Sequence, residues 1–192
     1  MIAGDLEYVM TSLPHLFLKD TDRERSRVIS IFQRYAGSEE KKENIITLFE
    51  EEMDKFLSAK ESETLQQIRL QTVHQPIFQK SKIDVLRRFS IYCSRLKKDL
   101  YQLRTARKSG KEIATTLESI KDLEPGTPLE EEIQLIQWQW DKLEELMIGH
   151  YSDFEAVILF KLKLCVLLRW WSFDEQKGFE RFLNLTEPGH GR

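Results

Sequence analysis

Four histidines and two cysteines are the residues of this 192-residue chain best suited to acid–base, nucleophilic or metal chemistry. The histidines are His15, His74, His150 and His190. A helical metal site needs a second ligand three or four residues away, on the same face. None of the four sits in a predicted helix with a His or Glu at that spacing. His150 lies near Asp153, but across a predicted turn, where a capping or surface role is the expectation. Cys93 and Cys165 each fall inside an apolar helical pattern, where a buried thiol is inert. Two cysteines are too few for a disulfide scaffold or a zinc site, and point to a reducing, cytosolic compartment. The carboxylate runs Glu50–Glu52 and Glu130–Glu132 fail for a geometric reason: consecutive helical residues diverge by about 100°, so they cannot converge as an acid–base pair. A glycine-rich phosphate loop is missing too; the one glycine–proline cluster is Pro125-Gly126-Thr127-Pro128. The expectation is a protein that is not an enzyme, with no catalytic residue, no metal ligand and no cofactor.

What remains is surface chemistry. Ten basic residues lie between Lys82 and Lys111 against Asp84 and Asp99, whereas twelve acids lie between Glu112 and Glu155 against Lys121 and Lys142. A chain of net charge −3 therefore contains a basic rod and an acidic hairpin. Three readings are open. The rod packs beside the acidic segments and solvates its outer face; or it docks an acidic protein; or, with Tyr92 and Tyr101 as stacking rings, it binds nucleic acid. The first is the ordinary outcome for charged helices, and no nucleic-acid motif accompanies the third. Trp140 lies on an apolar seam and reads as core; Trp138 lies off it, and adjacent Trp170 and Trp171 cannot both face inward. The candidate interface residues are Arg87, Arg88, Arg95, Lys97, Lys98, Arg104, Trp138 and Trp170.

These side chains must be carried by helices. Only 8 glycines and 5 prolines occur, too few for the frequent turns of a sheet-rich fold. Residues 1–20 are ambiguous between strand and helix, and Pro14 interrupts any helix there. A helix over 22–35 follows Asp20-Thr21-Asp22, with Val28, Ile31, Phe32 and Tyr35 on one face and Gly37 as its stop. Ser38, Glu39 and Glu40 open the next, with a stripe of Ile46, Phe49, Met53 and Phe56. A shorter helix is expected over Ser62–Thr72, closed by Pro76.

The clearest element is a long central helix over 81–108, about 40 Å at about 1.5 Å per residue. Its seam of Leu86, Phe89, Cys93, Leu96, Leu100 and Leu103 has heptad spacing. A short helix near Glu112–Lys121 comes next. Thr127 with Pro128 then starts a helix whose seam is Leu129, Ile133, Ile136, Trp140, Leu143 and Met147, ended by Gly149. Ser152 or Asp153 caps another; its Ala156–Trp171 run is too short for a bilayer, contains Lys161 and Lys163, and reads as a helix buried on most sides. Asp174 starts a last short helix with Phe179, Phe182 and Leu183, and residues 187–192 read as a flexible tail. The expected architecture is one soluble all-α domain over 1–192, an antiparallel bundle or elongated array of about seven or eight helices. The start of the chain, lacking a basic segment followed by an apolar one, does not read as a secretory signal. The seams suit packing within the chain and pairing with a partner helix equally.

Several stretches resemble one uncharacterised helical family encoded in bacterial V-type ATPase operons. They are Ile136-Gln137-Trp138-Gln139-Trp140-Asp141-Lys142-Leu143-Glu144-Glu145-Leu146 after Pro128-Leu129-Glu130, then His150-Tyr151-Ser152-Asp153-Phe154-Glu155-Ala156-Val157, Lys161-Leu162-Lys163-Leu164 and Leu168-Arg169-Trp170. The opening Tyr8-Val9-Met10-Thr11-Ser12-Leu13-Pro14 is similar to that family's start. The likeness covers both ends of the chain and little of its middle. That family resembles the all-helical C (or d) subunit of V/A-type rotary ATPases, which seats the central stalk on the membrane ring. The resemblance implies a non-catalytic subunit or accessory or assembly factor, contacting stalk or ring subunits, with no catalytic residues to carry over. It places the chain in the cytoplasm, peripheral to the inner membrane through the complex, without inserting into it. A free-standing cytosolic helical adaptor is the alternative.

Overall fold

The computed structural model describes residues 3–35, 44–110 and 117–173. Within them lie eight α-helices, one 3-10 turn and no strand. The chain is all-α, as its composition implied.

Residues 3–12 settle as helix α1 (Ala3–Ser12). Leu6, Val9 and Met10, with Leu13 just beyond, share one helical face, and Val9 and Leu13 reach the core. Helix α2 (Asp22–Tyr35) starts where expected, with the Thr21 hydroxyl accepting the Glu24 N–H at 3.3 Å. It buries Val28 and Phe32; Ile31 stays half-buried. The expected stop at Gly37 and start at Ser38–Glu40 lie outside the described residues. Helix α3 (Ile45–Asp54) is capped by Asn44, whose side-chain oxygen accepts the Ile46 N–H, and it buries Leu48, Phe49 and Met53.

The next stretch departs from expectation. Helix α4 is Ala59–Gln67, not 62–72. Ser58 and Glu61 form a reciprocal capping box that sets its start, and Ile68 leaves the helix in extended conformation with its side chain fully buried. Pro76, expected to close the segment, stands at the first position of short helix α5 (Pro76–Gln79), where its missing N–H costs nothing.

Helix α6 (Asp84–Ser109) is the long central rod. Gly110 ends it at φ +64°, the left-handed conformation that glycine adopts without strain. Of the expected helix over 112–121, residues 112–116 lie outside the description, and Glu118–Ile120 is a single 3-10 turn. Helix α7 (Pro128–Met147) has the Thr127–Glu130 capping box, and helix α8 (Phe154–Trp171) is capped by Asp153. Ion pairs Lys163–Glu144 and Arg169–Glu132 show α7 and α8 running antiparallel; Arg88–Glu145 and Arg107–Glu131 show the same for α6 and α7. The expected helix from Asp174 and the tail from 187 lie outside the described residues.

Helix α8 forms the centre, packed by α3, α6 and α7. Twelve of its eighteen residues are buried, which accounts for its nearly unbroken apolar sequence. Phe32, Phe49 and Phe160 cluster here, with the Phe49 and Phe160 rings stacked 5.2 Å apart. A second, small core joins Leu96, Leu117, Ile120 and Leu135, flanked by Leu100, Leu103 and Trp138. Helix α7 serves both cores, so its expected seam needs correction. Leu129 is 46% exposed and Ile133 half-buried, whereas off-seam Leu135 and Leu146 are buried. No helix among the described residues is long and apolar enough to cross a membrane.

Candidate protein-docking surface

The basic rod and the acidic hairpin do pack side by side, yet their charges do not cancel. Glu131 of α7 takes Arg107 of α6 at 2.6 Å, and Glu145 takes Arg88 at 3.2 Å. Other α7 acids are engaged differently: Glu132 pairs with Arg169 and Glu144 with Lys163, both on α8, Asp141 lies beside Tyr92 and accepts the Gln137 amide at 2.8 Å, and Glu145 also holds Lys142 at 2.7 Å. Near its start, α6 pairs with itself, Arg87 and Arg88 both reaching Asp84. Asp99 accepts the Ser119 N–H at 3.0 Å and the Ser119 hydroxyl, so this acid anchors the 3-10 turn. Arg95, Lys98, Arg104 and Lys108 consequently have no acidic partner among the described residues, and all four are exposed.

These cations divide between two grooves on opposite sides of α6. One, of about 720 Å³, has Lys97, Tyr101, Arg104 and Lys108 along its α6 rim and Glu132, Gln139 and Arg169 on the facing wall. Leu70, Cys93, Leu96, Leu100 and Leu135 floor it. The other, of about 750 Å³, carries Arg88, Arg95 and Lys98 beside Tyr92, Ser119 and Lys142. A shallower depression containing Trp138 adjoins the second groove through Tyr92, Ser119 and Lys142. The structure thus separates the candidate interface residues. Lys97 and Arg104 lie in the first groove; Arg88, Arg95, Lys98 and Trp138 lie in or beside the second. Arg87 is taken by Asp84 at the helix start, and Trp170 packs half-buried against the main core.

Sequence spacing missed two features of the first groove. The Nζ of Lys97 lies 2.8 Å from Nε2 of His74, a residue 23 positions away in the turn before α5. Burial, then the Lys97 charge, hold the His74 pKa below 6.5, so the neutral ring accepts a hydrogen bond from the ammonium. Gln139 contributes a buried side-chain oxygen without a hydrogen-bond partner among the described residues.

The groups considered for chemistry fall into place as follows. Burial pushes the Cys93 thiol to about 12 and the Cys165 thiol to about 11, far from a reactive thiolate. Burial also raises the half-buried Tyr92 phenol to about 12. His150, Asp153 and Glu155 offer ligand atoms within 4.8 Å of one another, a convergence that the spacing did not reveal. Asp153 is already engaged: one oxygen accepts the Ala156 N–H at 2.8 Å as the α8 cap, and the other meets His150 Nδ1 at 2.6 Å. This is the capping role expected of that corner.

Comparison with known proteins adds one finding. Residues 102–189, somewhat under half of the chain, match the model of a family described as a protein of unknown function (DUF2764). The match begins in the distal half of α6 and takes in all of α7 and α8. No curated protein and no solved structure matches the chain.

Proposed function

We propose that this protein is a non-catalytic helical binding subunit, an accessory or assembly factor of a bacterial V-type ATPase that holds stalk or ring subunits through α6. The observation that carries the binding role is the set of α6 cations, on both sides of the helix, left without an acidic partner among the described residues although an acidic helix lies alongside. A purely solvating face would be expected to mix both signs, with i,i+4 pairs along it. Unpaired cations beside partly apolar grooves suit recognition of an oppositely charged protein. The ATPase enters through the resemblance at both ends of the chain, and the place of action it implies is the cytoplasmic side of the membrane, reached through the complex.

Affinity purification of the tagged chain from its native cells, followed by native electrophoresis and mass spectrometry, tests this reading. Stalk or ring subunits should co-elute with it in stoichiometric amounts. If the assembled ATPase elutes intact and without this chain, the subunit role fails. Recovery with a different protein instead favours a free-standing adaptor.

A further inference from the structure

We propose that the groove between α6 and the α7–α8 hairpin is the docking site for an acidic amphipathic helix of a partner protein. The inference rests on the reading of this chain as a protein-binding module, and names the chemistry of what it binds.

Charge gives the sign of the occupant. Lys97, Arg104 and Lys108 line one rim at spacings of seven and four, so they share an α6 face. Arg169 on the opposite wall is matched by Glu132, the only acid lining the groove among the described residues. The α6 rim thus presents three cations with no acidic partner among the described residues, and Lys97 hydrogen-bonds a neutral imidazole there. Filling the groove with a neutral or basic segment would leave those cations partly desolvated and unpaired. An acidic flank on the occupant supplies their partners.

The floor gives its shape. Leucines at 96, 100 and 135 run between the two rims, and such a strip is matched by one apolar stripe on a helix. From Cys93 to Lys108 the groove follows α6 for about 22 Å, the length of about four helical turns. Nucleic acid fits less well. Tyr101, 72% exposed, is the one aromatic ring lining the groove besides the imidazole among the described residues, whereas single strands are held by a succession of stacking rings. Aliphatic side chains occupy the floor, where sugar and phosphate would have to lie.

A fluorescein-labelled model helix of about 18 residues, leucine along one stripe and glutamate on both flanks, is the probe. Anisotropy titration of the full chain should show saturable binding that weakens with salt. The double variant Lys97→Glu/Arg104→Glu should bind at least about tenfold more weakly. Arg95→Glu/Lys98→Glu, on the far side of α6, should bind as the parent does. Circular dichroism checks that both variants keep their helicity, and the milder Lys97→Ala/Arg104→Ala pair should give an intermediate loss. The proposal is overturned by absence of binding, by equal losses from both sides of α6, or by equal binding of a probe with serine in place of leucine. It is also overturned if a single-stranded oligonucleotide displaces the probe at lower concentration. A dimer that sedimentation detects in the parent and that Lys97→Glu/Arg104→Glu abolishes would make a second copy the occupant, and overturns it equally. The two readings fail separately. A parent chain that binds the probe but brings down no ATPase subunit removes the ATPase and keeps the groove. One that brings down the ATPase and ignores the probe does the reverse.

Discussion

Lys161 of α8 places its ammonium 2.5 Å from Glu50 of α3, with the lysine side chain only 1% exposed. The same ammonium donates to the Leu65 carbonyl in the last turn of α4, the negative end of that helix. One buried cation thereby joins three helices. Lys163, two residues on, meets Glu144 at 2.7 Å and lies 4.6 Å from the centre of the Trp140 ring, joining α8 to α7.

Removing one partner of such a pair leaves the other charge in a poorly solvated place. Lys161→Met should lower unfolding stability by about 3–5 kcal/mol in urea titrations, and Glu50→Leu by a similar amount. The double variant Lys161→Met/Glu50→Leu should recover most of the loss, since it buries no unpaired charge. Additive losses in the double-mutant cycle would mean that the two residues do not act as a pair.

The aromatic cluster makes a separate prediction. Phe49 is fully buried against Phe32 and Phe160, so Phe49→Ala should cost about 3–5 kcal/mol. Ile31→Ala on the neighbouring helix removes only a half-buried side chain and should cost clearly less. Thermal melts of the two variants give the comparison.

Both thiols should resist modification. With Cys93 pushed up to about 12 and Cys165 to about 11, little thiolate exists in the folded chain at neutral pH. Iodoacetamide should label them slowly in buffer and at the ordinary rate of a free thiol in denaturant. Fast labelling of either under native conditions would contradict the packing around it.

His74 supplies a pH dependence whose sign is determined. Its folded pKa lies below the ordinary 6.5, so the unfolded chain binds this proton more readily. The contribution to stability is complete above 6.5 and is lost as pH falls from there through the folded value. Lys97→Met removes the nearby charge and should raise the His74 midpoint in an NMR titration. His74→Gln should flatten the acid limb of the stability profile. An unchanged midpoint in Lys97→Met would show that the lysine does not act on the ring.

Helix α7 depends on its first turn. The Thr127 hydroxyl accepts the Glu130 N–H, and the Glu130 carboxylate accepts the Thr127 N–H at 2.7 Å. Thr127→Ala should cost about 1 kcal/mol, and Thr127→Ser nearly nothing, by chemical denaturation.

Helical class, the limits of α2, α6, α7 and α8 to within a few residues, and the buried character of α8 could be read from the amino-acid order. Each depends on interactions over three or four residues: apolar period, capping chemistry, and the helix-ending glycine at position 110. Even there, a local rule was missed where its signal was weak. The Ser58–Glu61 box was overlooked because α4 has only Leu65 and Ile68 as an apolar stripe, and Ile68 is buried from outside the helix. Which charges stay unpaired was not available from local order. The basic and acidic runs pointed first to a rod packed beside the acidic segments with a solvated outer face, and only second to a docking face. The outcome depended on how α7 turns, since its placement between α6 and α8 directs Glu132 and Glu144 toward α8. The same rotation buries Leu135 and exposes Leu129, and brings Arg169 to the facing wall of the groove. Those positions are set by packing among helices distant in sequence, where the burial of whole faces outweighs any single pair of charges.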